Sequence, residues 1–418
     1  MQVIFSLLFF FTKGLITGAF GCTKSDNPPF HAQSSVSNNN YGKVVIGYWT
    51  DWHEKLLSYE KIPFEYLTHI HYAFGTFGAD YKVHFFTKDY LEGLTQSAHA
   101  HNIKVIFSIG GWTDSAFFSP MVADSASRAN FVKDCLGFVE KYFIDGIDLD
   151  WEHPGRLGDN CNKFDPVNDT SNLLLLLQEL RAALPAEKEI SLAVGVTPFD
   201  GVNGPLSDVS QFADYIDRLN IMVYDLSGPS WSPKTASSAP MRGMQSVMSA
   251  FEAWTSAGIP VTKLCLGVPF YGRAWTLLDG DSPSTNGISN EHVKGVVPKG
   301  DKEDVPSVDQ CAGPEAVFGG VWNFRNLIAQ GILTGPKYDQ AISPWKRGYD
   351  NYSETAYVWN RLTKQFITYD DPTSLEAKVN YAKSIDSAGI MFWEMSCDDQ
   401  TEWPLLNSLQ NIRGSGEA

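Results

Sequence analysis

From Lys43 onward, short apolar runs alternate with stretches of helical spacing, the pattern of successive βα units. Eight runs read as strands, at 44–49, 69–74, 104–109, 147–152, 190–196, 219–224, 264–269 and 389–393. Helical stretches at 88–101, 125–143, 172–184, 209–216, 244–257 and 374–387 separate them, the second capped by Ser125. Most of the runs are apolar on both faces, as parallel strands buried from both sides are. Together they predict an α/β fold, a (β/α)8 TIM barrel with its active site at the C-terminal ends of the strands. Between the seventh and eighth runs lie about a hundred residues, far more than an ordinary connection needs. Trp275, Trp322, Trp345, Tyr357, Trp359 and Tyr369 recur there in short apolar stretches, so 274–372 reads as a small α+β insertion between strands 7 and 8.

The fourth run breaks the pattern. Ile147, Leu149 and Trp151 alternate with Asp148, Asp150 and Glu152, and a strand sends alternate side chains to opposite faces. Three carboxyl groups therefore share one face, about 7 Å apart along the strand. On a solvated sheet that alternation is ordinary. Inside a sheet covered on both faces the carboxyls desolvate and crowd one another, so at least one keeps its proton near neutrality. A shift of two pKa units corresponds to about 2.7 kcal/mol, and neighbouring carboxyls pushed apart in this way are how acid and base roles are divided. Glu152, at the strand's end, is the candidate acid. Asp145 opens the run off that face and is expected to hold the strand's entry.

Composition adds constraints. The chain of 418 residues carries a net charge of −16 and no long basic run, which argues against nucleic acid or an anionic membrane surface as partner. Its 12 Trp and 17 Tyr suit stacking on flat sugar faces, or simply a large core. Residues 1–21 hold an apolar run interrupted by Lys13 and ending in small residues, which reads as a secretory signal peptide rather than a membrane span. Cleavage after Ala19 or after Gly21 fits; the second leaves Cys22 first, a minor alternative in which the protein is lipid-anchored. Residues 22–40, rich in Ser, Asn and Pro, read as a disordered spacer, leaving 41–418 as the barrel domain. The remaining five cysteines are scattered and show no disulfide framework and no zinc spacing. Sequons stand at Asn168 and Asn351.

The run Asp145-x-x-Asp148-x-Asp150-x-Glu152 resembles the DxxDxDxE signature of the family 18 glycoside hydrolases, the chitinase family. Ser108-Ile109-Gly110-Gly111 is similar to that family's SxGG on the third strand. Met222-Val223-Tyr224-Asp225 is similar to its sixth-strand motif, Tyr271-Gly272-Arg273 to the motif after the seventh strand, and Trp393-Glu394 to the end of the eighth. Tyr48 and Phe74 match aromatic positions on the first two strands, whereas His153 departs from the Tyr or Phe common after the acid. The resemblance covers everything beyond the spacer.

It implies a secreted, monomeric chitinase that takes chitin and chitooligosaccharides, with no cofactor and no metal. Spacing alone leaves Asp150 open as a nucleophile, though it lies one pleat deeper than Glu152. The resemblance implies substrate assistance instead, in which the sugar's own acetamido oxygen attacks and the anomer is retained. Glu152 is then the acid, Asp150 orients the acetamide, Asp148 shares a proton with Asp150, and Tyr224 bonds the acetamide oxygen. Tyr48, Phe74, Gly111, Trp112, Met222, Asp225, Tyr271, Arg273 and Trp393 are the expected substrate contacts, with Trp393 as the floor under the reacting sugar. Trp49, Trp112, Trp231 and Trp275 are candidates for outer subsites. Two alternatives stand beside this reading: an endo-β-N-acetylglucosaminidase acting on N-glycans, and a non-hydrolytic chitin-binding lectin on the same barrel.

Overall fold

Runs of β-branched and aromatic residues with no polar face pair with one another once both faces are covered. In the computed structural model, which describes residues 42–414 except 86, 279–281, 309–310 and 312, they do so in chain order. The strands are β1 (Val44–Thr50), β2 (His69–Phe77), β3 (Lys104–Gly110), β4 (Gly146–Asp150), β5 (Glu189–Val194), β6 (Arg218–Met222), β7 (Leu264–Pro269) and β8 (Gly389–Trp393). Each pairs in parallel with the next, and β8 returns to β1 with Val44 opposite Gly389, so the barrel is closed. The leader expected at 1–21 and the spacer at 22–40 lie outside the described residues.

Helices α1 (Lys88–Ala100), α2 (Ser125–Tyr142), α3 (Asp169–Ala183), α4 (Val247–Ser256) and α5 (Pro372–Ser384) pack outside the ring. In α1, Leu91, Leu94, Thr95 and Ala98 are buried, the spacing of one helical face. Two local expectations change. The cap of α2 is Asp124, whose carboxylate accepts from Ser127 N at 2.8 Å, and Ser125 is already helical. The helix expected at 209–216 is only a 3-10 turn, Ser210–Asp214. Its start is tied by Val209 N donating to Ala257 O, and so short a segment closes with i to i+3 bonds.

After β7 the chain enters a five-stranded antiparallel sheet in the order Val321–Asn323, Tyr271–Thr276, Gln365–Tyr369, Thr355–Asn360, Trp345–Asp350. With the helix Phe324–Ala329 this is the α+β insertion, and its first strand begins ahead of the expected position 274. That strand carries Tyr271 and Arg273 on one face. A disulfide joins Cys161, in the loop after β4, to Cys311 in the insertion, a pair that sequence spacing did not reveal.

The opposite end of the barrel is closed by charge. Glu189, at the start of β5, meets Arg218, Lys104 (2.5 Å) and His69 (3.1 Å), which open β6, β3 and β2. Burial opposes Glu189's ionisation, but these partners hold its carboxyl far below the usual range. Beside this plug, Asp145 does the work expected of it: its Oδ2 accepts from Val105 N and His99 Nε2, both at 2.8 Å, clasping the entry of β4 to β3.

Candidate active site

The carboxyl ladder of β4 climbs from the barrel interior to its mouth. Asp148 is fully buried. Tyr48 Oη and Ser108 Oγ donate to its Oδ2 at 2.9 Å, and Ser191 Oγ donates to its Oδ1 at 2.5 Å. Asn220 Nδ2 reaches the same Oδ1 at 3.4 Å, and His71 Nδ1 lies 3.4 Å from Oδ2. Burial pushes against its charge, but His71 and the hydroxyl donors outweigh that and hold its pKa below the usual value. Asp150, one pleat higher, is surrounded differently: among the described residues its Oδ1 has no hydrogen-bond partner. Burial first, then the charges of Glu152 and Asp148, push its pKa well up. The donors around Asp148 thus favour its charged form, while burial and its carboxyl neighbours favour the protonated form of Asp150.

The strand stops at Asp150, short of the expected residue 152, because side chains replace the ladder there. Asp150 O accepts from Gly111 N at 2.8 Å and from Ser115 Oγ at 3.2 Å, and Glu152 N donates to Ser115 Oγ at 2.9 Å. Asn162 Nδ2 donates to Glu152 O at 2.8 Å, so the backbone under the acid is fixed from both sides. This closure explains the paired glycines after Ser108. Gly110 sits at φ +111°, and a Cβ there would stand 2.2 Å from Asp150 O. Glu152 itself has a side chain 15% exposed. Burial, followed by the negative charge of Asp225, pushes its pKa up to about 7, while Arg156 pulls the other way.

Around this ladder lies a groove of about 1160 Å³, and every expected contact residue lines it: Tyr48, Phe74, Gly111, Trp112, Met222, Tyr224, Asp225, Tyr271, Arg273 and Trp393. They come from the ends of β1, β2, β3, β6 and β8 and from the first strand of the insertion. A register shift between Tyr72 and Gly75 in the β2–β3 pairing marks a bulge, which re-aims Phe74. Phe74 stacks on Trp393 at 5.6 Å and 17°, and Tyr48 packs on the same indole at 5.4 Å. Asp225 accepts from Tyr271 Oη at 2.8 Å and Arg273 Nε at 2.7 Å, which joins the end of β6 to the insertion sheet. Burial and the charges of Asp150 and Glu152 raise the Tyr224 pKa well above its ordinary value, so its hydroxyl stays a donor.

Of the outer aromatics, Trp112 and Trp231 are half exposed in the groove, and Arg273 lies 5.7 Å over the Trp231 ring. Trp49 and Trp275 are not there. Strand alternation turns Tyr48 inward and Trp49 outward, where its indole N–H bonds Leu57 O at 2.9 Å. Trp275 is buried with Tyr357 and Phe366 in the insertion's own core. Trp52, Asp114, His153, Arg156 and Gln245 also line the groove without having been singled out as contacts; of these only His153 carried a sequence signal, its departure from the family pattern.

Comparison with known proteins agrees with this geometry. The model of the glycosyl hydrolases family 18 matches residues 44–398. A curated protein of Moniliophthora perniciosa named chitinase-like effector is 35% identical over 88% of this chain and 86% of its own length; a Moniliophthora roreri protein of the same name is 32% identical over 87% and 92%. The crystal structure of the Rhizomucor miehei chitinase RmChi1 superposes with a TM-score of 0.82 at 34% identity, covering 89% of this chain and all of that one. With the family's model spanning the barrel from its first strand to beyond its last, this chain belongs to the glycosyl hydrolases family 18.

Proposed function

We propose that the chain is a secreted chitinase that hydrolyses β-1,4 bonds between N-acetylglucosamine units by substrate-assisted, retaining catalysis. The observation that carries the reading is Glu152, a carboxyl with its pKa pushed up to about 7 at the centre of an aromatic groove. Glycoside hydrolysis needs a proton on the leaving oxygen and stabilisation of the oxocarbenium-like carbon from the other face. Glu152 supplies the proton. Asp150, almost wholly buried one pleat below, is badly placed for attack on that opposite face. The substrate's acetamido oxygen takes the nucleophile's place, closing an oxazolinium ring. Asp150 orients the acetamide N–H, Tyr224 donates to its oxygen, and Asp148 keeps a compensating charge beneath them. Trp393 floors the reacting sugar, while Asp225, Tyr271 and Arg273 hold its neighbours.

Chitinase names among the relatives and solved neighbours support the polymer as substrate. Export is supported by the apolar segment at 1–21, and the intact mass of the exported protein reads the cleavage point. A second reading has one specific motive: two relatives bear the name chitinase-like effector, which leaves a binding role without hydrolysis. The deciding experiment is a mass-spectrometric time course on N-acetylglucosamine hexamer with the wild type and Glu152→Gln, the first anomer read by NMR. Retained-anomer fragments from the wild type alone, with hexamer bound but uncut by Glu152→Gln, are expected. Intact hexamer from both despite binding overturns the enzyme reading in favour of a lectin. Intact hexamer with no binding points to a glycan-specific enzyme.

A further inference from the structure

Two cations line the groove, Arg273 and Arg156. Arg273 is fixed against Asp225 in the clamp already described. Arg156 follows closely behind Glu152 in the loop after β4 and has its own support. Its Nη1 donates to Asp200 Oδ2 at 2.6 Å and to Thr197 Oγ1 at 3.2 Å, and among the described residues these bonds involve neither Nη2 nor Nε. The guanidinium lies over Gly195, which opens the loop after β5. A Cβ at 195 would stand 2.8 Å from Nη2 and 3.7 Å from His153 Cε1, so any side chain there would push the cation off the wall. His153 stands alongside, its Nε2 3.8 Å from Glu152 Oε2. Burial, then the charge of Arg156, lowers the His153 pKa to about 3, which leaves the ring neutral in any ordinary medium. The wall at the ends of β4 and β5 thus presents one positive charge, on a side chain 35% exposed, next to the acid.

In the closed ring, β4 and β5 stand across from β8 and β1, the strands that carry Trp393 and Tyr48. In the chitinase reading the reacting sugar stands on Trp393 with its leaving oxygen at Glu152, which directs the departing sugar toward the β4–β5 wall. We infer that Arg156 makes this wall selective, so that the sugar on the leaving side must carry a neutral N-acetyl group rather than the free ammonium of deacetylated glucosamine. The planar guanidinium offers N–H donors to an acetamide oxygen and repels a cation in the same place. The inference rests on the chitinase reading and deepens it. A like-charge contact in a half-solvated groove is worth about a hundredfold. Asp200 compensates part of it, so about tenfold discrimination remains.

The test uses half-acetylated chitosan at about pH 5, where the free amines are protonated. Fragments are sequenced from both new ends by mass spectrometry. The new reducing end is N-acetylated in every case, because that sugar supplies the nucleophile. At the new non-reducing end, the wild type should show N-acetylglucosamine over glucosamine at about ten to one, against about one to one in the polymer, and Arg156→Gln should bring that ratio within about two to one. Asp200→Asn removes the ion pair but leaves the charge, and should keep the bias. Unbiased non-reducing ends from the wild type, an intact bias in Arg156→Gln, or a bias lost equally in Asp200→Asn each overturn the inference. Failure of the chitinase reading is distinguishable, since fully acetylated hexamer would then remain uncut.

Discussion

Burial and the charge of Asp225 let Glu152 hold its proton up to about 7, above two aspartates whose surroundings push them in opposite directions. Hydroxyl donors and His71 hold the Asp148 pKa down, burial and neighbouring carboxyls push that of Asp150 up, and Glu152, at the mouth of the barrel, is raised to about 7. A raised pKa means the competent, protonated form exists below about 7 and is lost as pH rises through that value. The alkaline limb of kcat/KM on a soluble oligomer should therefore fall near pH 7 and reflect the free protein. Because the ladder titrates as a coupled set, the limb belongs to the set and not to one carboxyl alone. A limb near the ordinary glutamate value would remove burial and Asp225 as the cause. The shared carboxylate face was legible as a period of two, and so was its consequence, a proton retained near neutrality. Ser115, Asn162, Ser191 and Asn220 were not, since each reaches the ladder from another loop or strand and nothing local marks it. Trp49 was legible in principle: with Tyr48 facing in, alternation already sends its neighbour out.

At the scale of elements, the strands were legible because burial on both faces leaves long apolar runs, and their ends were not, because side chains finish them. Glu152 lies beyond β4 for that reason, and the fourth helical stretch, at 209–216, is only a 3-10 turn. The lower end of β4 shows the same principle in a testable form. Asp145 accepts from the buried N–H of Val105 at the start of β3. In Asp145→Ala this donor loses its acceptor, at a cost of about 1 to 3 kcal/mol. The denaturation midpoint should drop accordingly, while the fragments released from hexamer stay the same, since the change is at the far end of the barrel from Glu152. An unchanged midpoint would mean that water takes over the acceptor's place.

The whole molecule is held by a contact that no spacing rule foretold. Cys161 and Cys311 are 150 residues apart in sequence and 5.0 Å apart between Cα atoms, and only the insertion's position over the loop after β4 brings them together. Cross-linking so long a loop stabilises by about 2 to 4 kcal/mol in typical cases. Cys161→Ala should lower Tm, and a reductant should lower the wild type to the variant's value while leaving the variant where it is. If the reductant moves both equally, the disulfide is not the cause. Beyond stability, the closure of the ring sets when the molecule becomes capable of anything. β8 is the partner of both β1 and β7, and it delivers Trp393 to the groove. The carboxyls of β4 are made long before it, yet until residues 389–393 emerge from the ribosome the first strand lacks a neighbour and the groove has no floor. A chain that ended upstream of β8 would lack at once the strand between β1 and β7 and the Trp393 side of the groove, so the barrel and its site are completed by the same five residues.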